Sequence, residues 1–237
     1  MAVVKLITLD LDNTLWDVER VIVAAEKKLV KWLEQAVPES LPFYQAGNLA
    51  RIREDIVTQY SHKTHDLSFM RKAILFEVMC QAGLANKDAQ IAAHRAFDVF
   101  FEGRNEVQFF PGAIDLLQEL SQKFTLYALT NGNADIHKTG LGNYLTGAFS
   151  SADVGHKKPD KAMFQAPLTT LQLMPNQAIH IGDDLHDDIF GASAMGMHNI
   201  WVNLKKEVRS NDQATPTQEV HRLSDVPQAI DTIINTL

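Results

Sequence analysis

The chain has 237 residues, 46% hydrophobic and 22% charged, an ordinary globular composition with enough apolar side chains for one large core or two modest ones. Its formal net charge of −7 excludes a general nucleic-acid binder, which needs clustered Lys and Arg against phosphate. A single cysteine, Cys80, excludes an intramolecular disulfide framework, and its apolar neighbours mark it as a small core residue rather than a nucleophile. The first apolar run holds a lysine, lacks a basic leader and stops after roughly seven residues, unlike a secretory signal. No segment approaches the ~20 apolar residues of a membrane-spanning helix. A soluble, cytoplasmic protein with no membrane partner is expected.

In chain order, the run from Val3 to Leu9 reads as a buried parallel strand that stops at Asp10-Leu11-Asp12-Asn13-Thr14. Helical spacing follows, with Val18, Val21, Ala25, Leu29 and Leu33 on one face, Asp17 as N-cap, and Pro38 and Pro42 as terminators. A second helix carries Leu49, Ile52, Ile56 and Tyr60. A third, capped by Asp66, carries Phe69, Ala73, Phe76 and Cys80, and a fourth from Asn86 to Gly103 carries Ala93, Phe97, Phe100 and Phe101. Beyond Phe110 strands and helices alternate. A helix opening at Pro111 runs through Leu120, a strand from Phe124 to Leu129, and a short strand covers Phe149-Ser150-Ser151. A helix from Asp160 to Leu173, a strand ending at Ile181, a helix from Ile189 to Met195 and a strand from His198 to Val202 complete the pattern, with residues 205–219 a polar surface loop. The fold class predicted is α/β: a doubly wound parallel Rossmann-like sheet of residues 1–16 and 106–237, interrupted by a helical bundle of residues 17–105.

Strands that end in charge place it at the carboxyl edge of the sheet, where open α/β folds build their sites. Four strand ends supply Asp10 and Asp12; Thr130, Asn131 and Gly132; Lys158, shortly after Asp153; and Asp183, Asp184, Asp187 and Asp188. Clustered carboxylates repel unless a cation or a substrate charge compensates them. Hard oxygen donors in this number favour Mg²⁺, and with a hydroxyl and an amine beside them they suit phosphoryl transfer.

With Asp10-Leu11-Asp12-Asn13-Thr14, Thr130-Asn131-Gly132, Lys158-Pro159 and Gly182-Asp183-Asp184-Leu185-His186-Asp187-Asp188 in this order, the sequence resembles the haloacid dehalogenase superfamily. The inserted bundle matches that family's helical cap of the first type. The resemblance implies Asp10 as nucleophile, Asp12 as general acid and base, and Thr130 with the Asn131 amide as phosphoryl holders. It also implies Lys158, rather than Lys157, as the balancing cation. Asp10, the Asp12 carbonyl and Asp183 would hold Mg²⁺, with Asp188 and Asp184 supporting them. The partner implied is a small phosphorylated metabolite. The layout is similar to bacterial phosphatases of flavin mononucleotide and ribityl-uracil phosphates, with sugar phosphates, phosphoglycolate and nucleoside monophosphates as alternatives. Family dehalogenases replace the second aspartate, because halide leaves without a proton, so Asp12 favours phosphate ester hydrolysis. A phosphomutase is the runner-up, and a phospho-accepting signalling module or a binding protein with a degenerate site comes from another class.

Each of these residues also has a plainer reading. Asp184 and Asp187 suit a helix cap, His180 a hydrogen-bonded core histidine, and His156 and His186 solvated positions at the rim. Trp16 either packs the linker or lines an entrance. The polar run Ser61 to Asp66 and Arg71 form a solvated loop, or else Lys63, His65 or Arg71 reads the leaving group. The sequence does not specify an oligomeric state.

Overall fold

The computed structural model describes residues 4–237; Val3, the first residue of the predicted opening strand, lies outside them. The chain divides into two compact units, one comprising the residues up to Asp17 together with Gln108–Leu237, the other Val18–Val107.

In the first unit, β1 (Leu6–Leu9), β2 (Thr125–Thr130), β3 (Gly147–Ser150), β4 (Ala178–Gly182), β5 (His198–Val202) and β6 (Gln218–Val220) form one parallel sheet in the order β3-β2-β1-β4-β5-β6. The central position of β1 explains its largely apolar run, since every residue in it is buried. Leu9 lies opposite Ala128 on one side and Ile181 on the other, so the segments following β1, β2 and β4 emerge together at one edge. Asp10 extends the pairing by one bond, its N–H donating to the Ile181 carbonyl at 2.8 Å.

Among the described residues, five α-helices accompany the sheet: α6 (Ala113–Ser121), α7 (Ser151–Val154), α8 (Lys161–Leu171), α9 (Gly191–Ala194) and α10 (Val226–Asn235). Helices α6 and α10 pack together, and α8 packs with α7 and α9. Three local expectations are corrected. The polar stretch 205–219 is not loop to its end, because Gln218–Val220 pairs with β5 as an edge strand in which only Val220 is buried. The helix expected from Ile189 begins earlier, as a wide helical turn over Leu185–Phe190 capped by the Asp184 carboxylate, which accepts from His186 N at 2.8 Å and Asp187 N at 2.7 Å. Pro111 precedes α6 rather than opening it, since Gly112 takes a left-handed φ of 83° at the N-cap.

The second unit contains α1 (Val18–Ala36), α2 (Leu41–Tyr44), α3 (Ala46–Gln59), α4 (Leu67–Gln81) and α5 (Asn86–Arg104). Helix α1 buries Val21, Ala25, Leu29 and Leu33, the stripe its spacing marks. It meets α5 at very close range, since a Cβ on Gly103 would come within 2.9 Å of the Ala25 Cα. Asp66 caps α4, accepting from Phe69 N at 2.9 Å. The buried face of α4 is Met70, Leu75, Val78 and Met79, whereas the expected Phe69, Ala73, Phe76 and Cys80 are half-buried. The helix packs against both α3 and α5 and is apolar around most of its circumference, so its period does not single out one face. No helix among the described residues is long and apolar enough to cross a membrane.

Candidate active site

The loop after β1 is tight. Asn13 adopts a φ of 62°, a left-handed conformation that asparagine tolerates, and its N–H returns to the Trp16 carbonyl at 2.7 Å. This fold-back presents Asp10, Asp12 and Thr14 within five residues. Thr14 is fully buried, and its hydroxyl lies between two carboxylates, 3.0 Å from Asp10 Oδ2 and 3.2 Å from Asp183 Oδ1. Thr14 stands in the first motif with no expected role, and nothing local in the sequence announces this bridge across 169 residues.

Lys158 is buried, and its ammonium sits 2.6 Å from Asp10 Oδ1 and 2.6 Å from Asp188 Oδ1, while Lys157 is exposed. The backbone holding it leads into a cis Lys158–Pro159 bond and is gripped by the Asn131 side chain. Asn131 Oδ1 accepts from Lys158 N at 2.7 Å, and Asn131 Nδ2 donates to the Lys158 carbonyl at 3.1 Å and to Asp187 Oδ2 at 2.9 Å. The side-chain amide of Asn131 is therefore occupied in placing the lysine. Thr130 is buried at the end of β2 and its Oγ1 accepts from Gly132 N at 2.8 Å, which leaves its hydroxyl proton for another acceptor.

Asp188 is enclosed by donors. Its Oδ1 receives Lys158 and, at 3.0 Å, His180 Nε2, and its Oδ2 receives Asp184 N at 3.0 Å. His180, fully buried on β4, has its Nδ1 2.8 Å from Thr8 Oγ1. An ionised Asp188 only accepts, so Nε2 carries the proton and Nδ1 accepts from Thr8. Burial lowers the His180 pKa, consistent with that neutral ring. The core-histidine reading of His180 holds, and the ring also orients Asp188.

The electrostatics show an excess of negative charge. Asp10, Asp183 and Asp188 each offer an oxygen, all within 4.8 Å of one another, against one ammonium. Burial, the largest single effect on Asp188, pushes its pKa up, but Lys158 and His180 together hold it well below the usual carboxylate range. Burial likewise opposes the charge on Lys158, and the two carboxylates overcome it and raise its pKa. Asp10 has only a share of that lysine. Burial, with Asp188 and Asp183 nearby, drives its pKa well above normal. Asp183 is pushed up to about 7, by burial first and Asp188 second. Such a site takes up a cation. The lone pairs of Asp188 already face three protein donors, so Asp10 and Asp183 are the carboxylates fitted to hold one, and hard oxygen donors fit Mg²⁺. The Asp183 loop is fixed from behind, its carbonyl accepting from Trp201 Nε1 at 2.8 Å.

Asp12 is half-buried, and its Oδ1 accepts from Trp16 Nε1 at 2.8 Å. Trp16 is fully buried, edge-on to Phe109 with ring centroids 5.7 Å apart, so of its two readings packing is the one realised. Asp184 serves as the helical cap. Asp187 is raised, chiefly by burial and then by Asp184 and Asp188. His186 is exposed and stacks on Phe190, and His156 is exposed with its Nδ1 3.2 Å from Asp160. Lys63, His65 and Arg71 belong to the helical unit. Lys63 is exposed at the turn Ser61–Lys63 and His65 is half-buried. Arg71 donates to Glu26 at 2.7 Å and lies 3.4 Å over the Phe100 ring, and Tyr44 donates to the same Glu26 at 2.7 Å.

Comparison with known proteins agrees with this edge of aspartates. A family model described as haloacid dehalogenase-like hydrolase matches residues 4–196. The Escherichia coli (strain K12) 5-amino-6-(5-phospho-D-ribitylamino)uracil phosphatase YigB is 30% identical over 199 residues, which cover 84% of this chain and 83% of that protein. Among solved structures, a 2-haloacid dehalogenase from Pseudomonas syringae pv. Tomato DC3000 is 37% identical with a TM-score of 0.92, covering 97% of this chain and 99% of its own. The magnesium-bound HAD-hydrolase YfnB from Bacillus subtilis is 20% identical with a TM-score of 0.65, covering 97% and 99%, a likeness of fold. The chain belongs to the haloacid dehalogenase-like hydrolases with a helical cap.

Proposed function

We propose that the protein is a Mg²⁺-dependent phosphatase of small phosphate monoesters, working through an aspartyl-phosphate on Asp10. One observation carries this over dehalogenation, the reading that the 37% identical structure favours. Two residues beyond the nucleophile stands Asp12, a carboxylate held by an indole N–H. A halide leaves without a proton, whereas an alkoxide needs one, and a positioned carboxylate is worth about 10²- to 10⁴-fold to that step.

The Asp10 carboxylate attacks phosphorus as the ester P–O bond breaks, and Asp12 gives its proton to the departing oxygen. Water then attacks phosphorus, Asp12 takes the proton, and inorganic phosphate leaves with Asp10 restored. Lys158 fixes one oxygen of Asp10 and Thr14 the other, which sets the angle of the carboxylate before substrate arrives. Thr130 and Lys158 meet the phosphoryl oxygens. Asp10, Asp183 and the Asp12 carbonyl, supported by Asp188 and Asp184, would hold Mg²⁺, which would supply charge neutralisation.

For substrate, the 30% identical relative supports a ribityl-uracil phosphate, and flavin mononucleotide is the second candidate. Lys63, His65 or Arg71 of the helical unit is the candidate for reading the leaving group. Phosphate release would be measured on flavin mononucleotide, 5-amino-6-(5-phospho-D-ribitylamino)uracil and a set of sugar phosphates, and halide release on 2-chloropropionate, with and without Mg²⁺. Mg²⁺-dependent phosphate release that Asp10→Asn abolishes is expected. Halide release without phosphatase turnover would sink the reading, and an isomerised phosphate product would turn it to a mutase.

A further inference from the structure

We propose that Trp16 is a positioning residue that fixes the direction from which the Asp12 carboxylate meets the leaving oxygen. This role rests on the phosphatase reading above and adds to it a residue outside the four motifs. The indole nitrogen only donates, and in a fully buried ring it needs an acceptor, which it finds in Asp12 Oδ1 at 2.8 Å. Phenylalanine would fill such a site with no polar demand, so the N–H is either a burden met by chance or an orienting contact.

The surroundings favour orientation, because the ring and the loop are each held by contacts besides the indole bond. The ring lies at 72° to Phe109, and the strand-like segments carrying the two aromatics are joined by Phe110 N donating to the Leu15 carbonyl at 2.8 Å. The loop bearing Asp12 is closed by Asn13 N on the Trp16 carbonyl at 2.7 Å, so backbone and side chain of Trp16 clamp the same short segment from Asp12 to Trp16. One carboxylate oxygen held this way fixes the bearing of the other. A carboxylate that must deliver a proton to one oxygen and later remove one from water gains from a single held rotamer.

The test compares rapid-mix bursts of leaving-group release for wild type, Trp16→Phe and Asp12→Asn, with Mg²⁺, on an alkyl phosphate and on p-nitrophenyl phosphate. The nitrophenolate needs little proton assistance. Trp16→Phe should slow the alkyl burst about tenfold or more, leave the nitrophenyl burst within about threefold, and barely move KM, a smaller copy of the Asp12→Asn pattern. Equal slowing on both substrates, or none on either, overturns the role. Absence of Mg²⁺-dependent phosphate release by the wild type overturns the phosphatase reading instead, and retained turnover in Asp10→Asn overturns the nucleophile assignment, whatever Trp16→Phe does. Should Trp16→Phe fail to fold, the indole proton resonance of Trp16 in the otherwise native protein decides. Asp12→Asn should displace it and Asp184→Asn should not, and a resonance indifferent to Asp12→Asn overturns the role.

Discussion

Replacing Asp183 by asparagine should make the metal-free protein more stable while destroying its activity. Burial and the neighbouring Asp188 push the Asp183 carboxyl up to about 7, against about 3.9 in an unfolded chain, a gap worth about 4 kcal/mol. A carboxyl raised in the fold is uncharged in both states below about pH 4, so nothing is lost there. Between about pH 4 and pH 7 the unfolded chain releases the proton that the fold retains, and stability falls until the folded group ionises too. Asparagine keeps the oxygen that Thr14 reaches at 3.2 Å and leaves the Trp201 bond to the backbone carbonyl untouched, so the charge is the main change. Urea melts in EDTA should show the variant ahead by about 2–4 kcal/mol at pH 8, with the gap less than half as large at pH 5. Saturating Mg²⁺ should close or reverse the order, because only the wild type has its full ligand set. A variant less stable than wild type in EDTA at pH 8, or a gap unchanged between pH 5 and pH 8, would refute the charge-excess reasoning.

Three further outcomes follow from the same geometry. Asn131→Ala frees both backbone groups of Lys158 and should lower kcat at least tenfold while costing about 1–3 kcal/mol in a thermal melt. In Gly182→Ala the new Cβ would run into the Asp188 carboxylate, so a loss of about 1–3 kcal/mol and of most activity is expected, with urea midpoint and turnover as readouts. Arg71→Met removes the partner of Glu26 and the cation over Phe100; it should lower the melting midpoint, worth about 1–2 kcal/mol, and leave KM within twofold. A KM rise with an unchanged melt would return Arg71 to the substrate.

What the sequence discloses about the site is the part written along single strands. Asp10, Thr130 and Asp183 stand out because each ends or follows an apolar run, and strand burial is a local pattern. Lys158 stands out through its proline and its family position. The contacts that set these groups at working angles join residues far apart: Thr14 to Asp183, His180 to Thr8, Asn131 to Lys158. No periodicity encodes such pairs, since each partner alone is an unremarkable polar residue on a strand or loop. The missed edge strand Gln218–Val220 has one buried side chain in three and so no alternation to read. Helix α10 is legible in the sequence, for Val226, Ala229, Ile230 and Ile233 fall at helical spacing and are its buried face. In α4 the difficulty was too many apolar residues rather than too few.

The two buried indoles also make the native protein its own optical probe. Of three tryptophans, Trp16 is hydrogen-bonded to Asp12 and Trp201 to the carbonyl of Asp183, while Trp32 belongs to the helical unit. With Trp32→Phe in the background, the remaining emission originates beside the two loops that carry the aspartates. Cation uptake and phosphoryl-group arrival can then be followed by intrinsic fluorescence on the millisecond scale, with no label added to the protein.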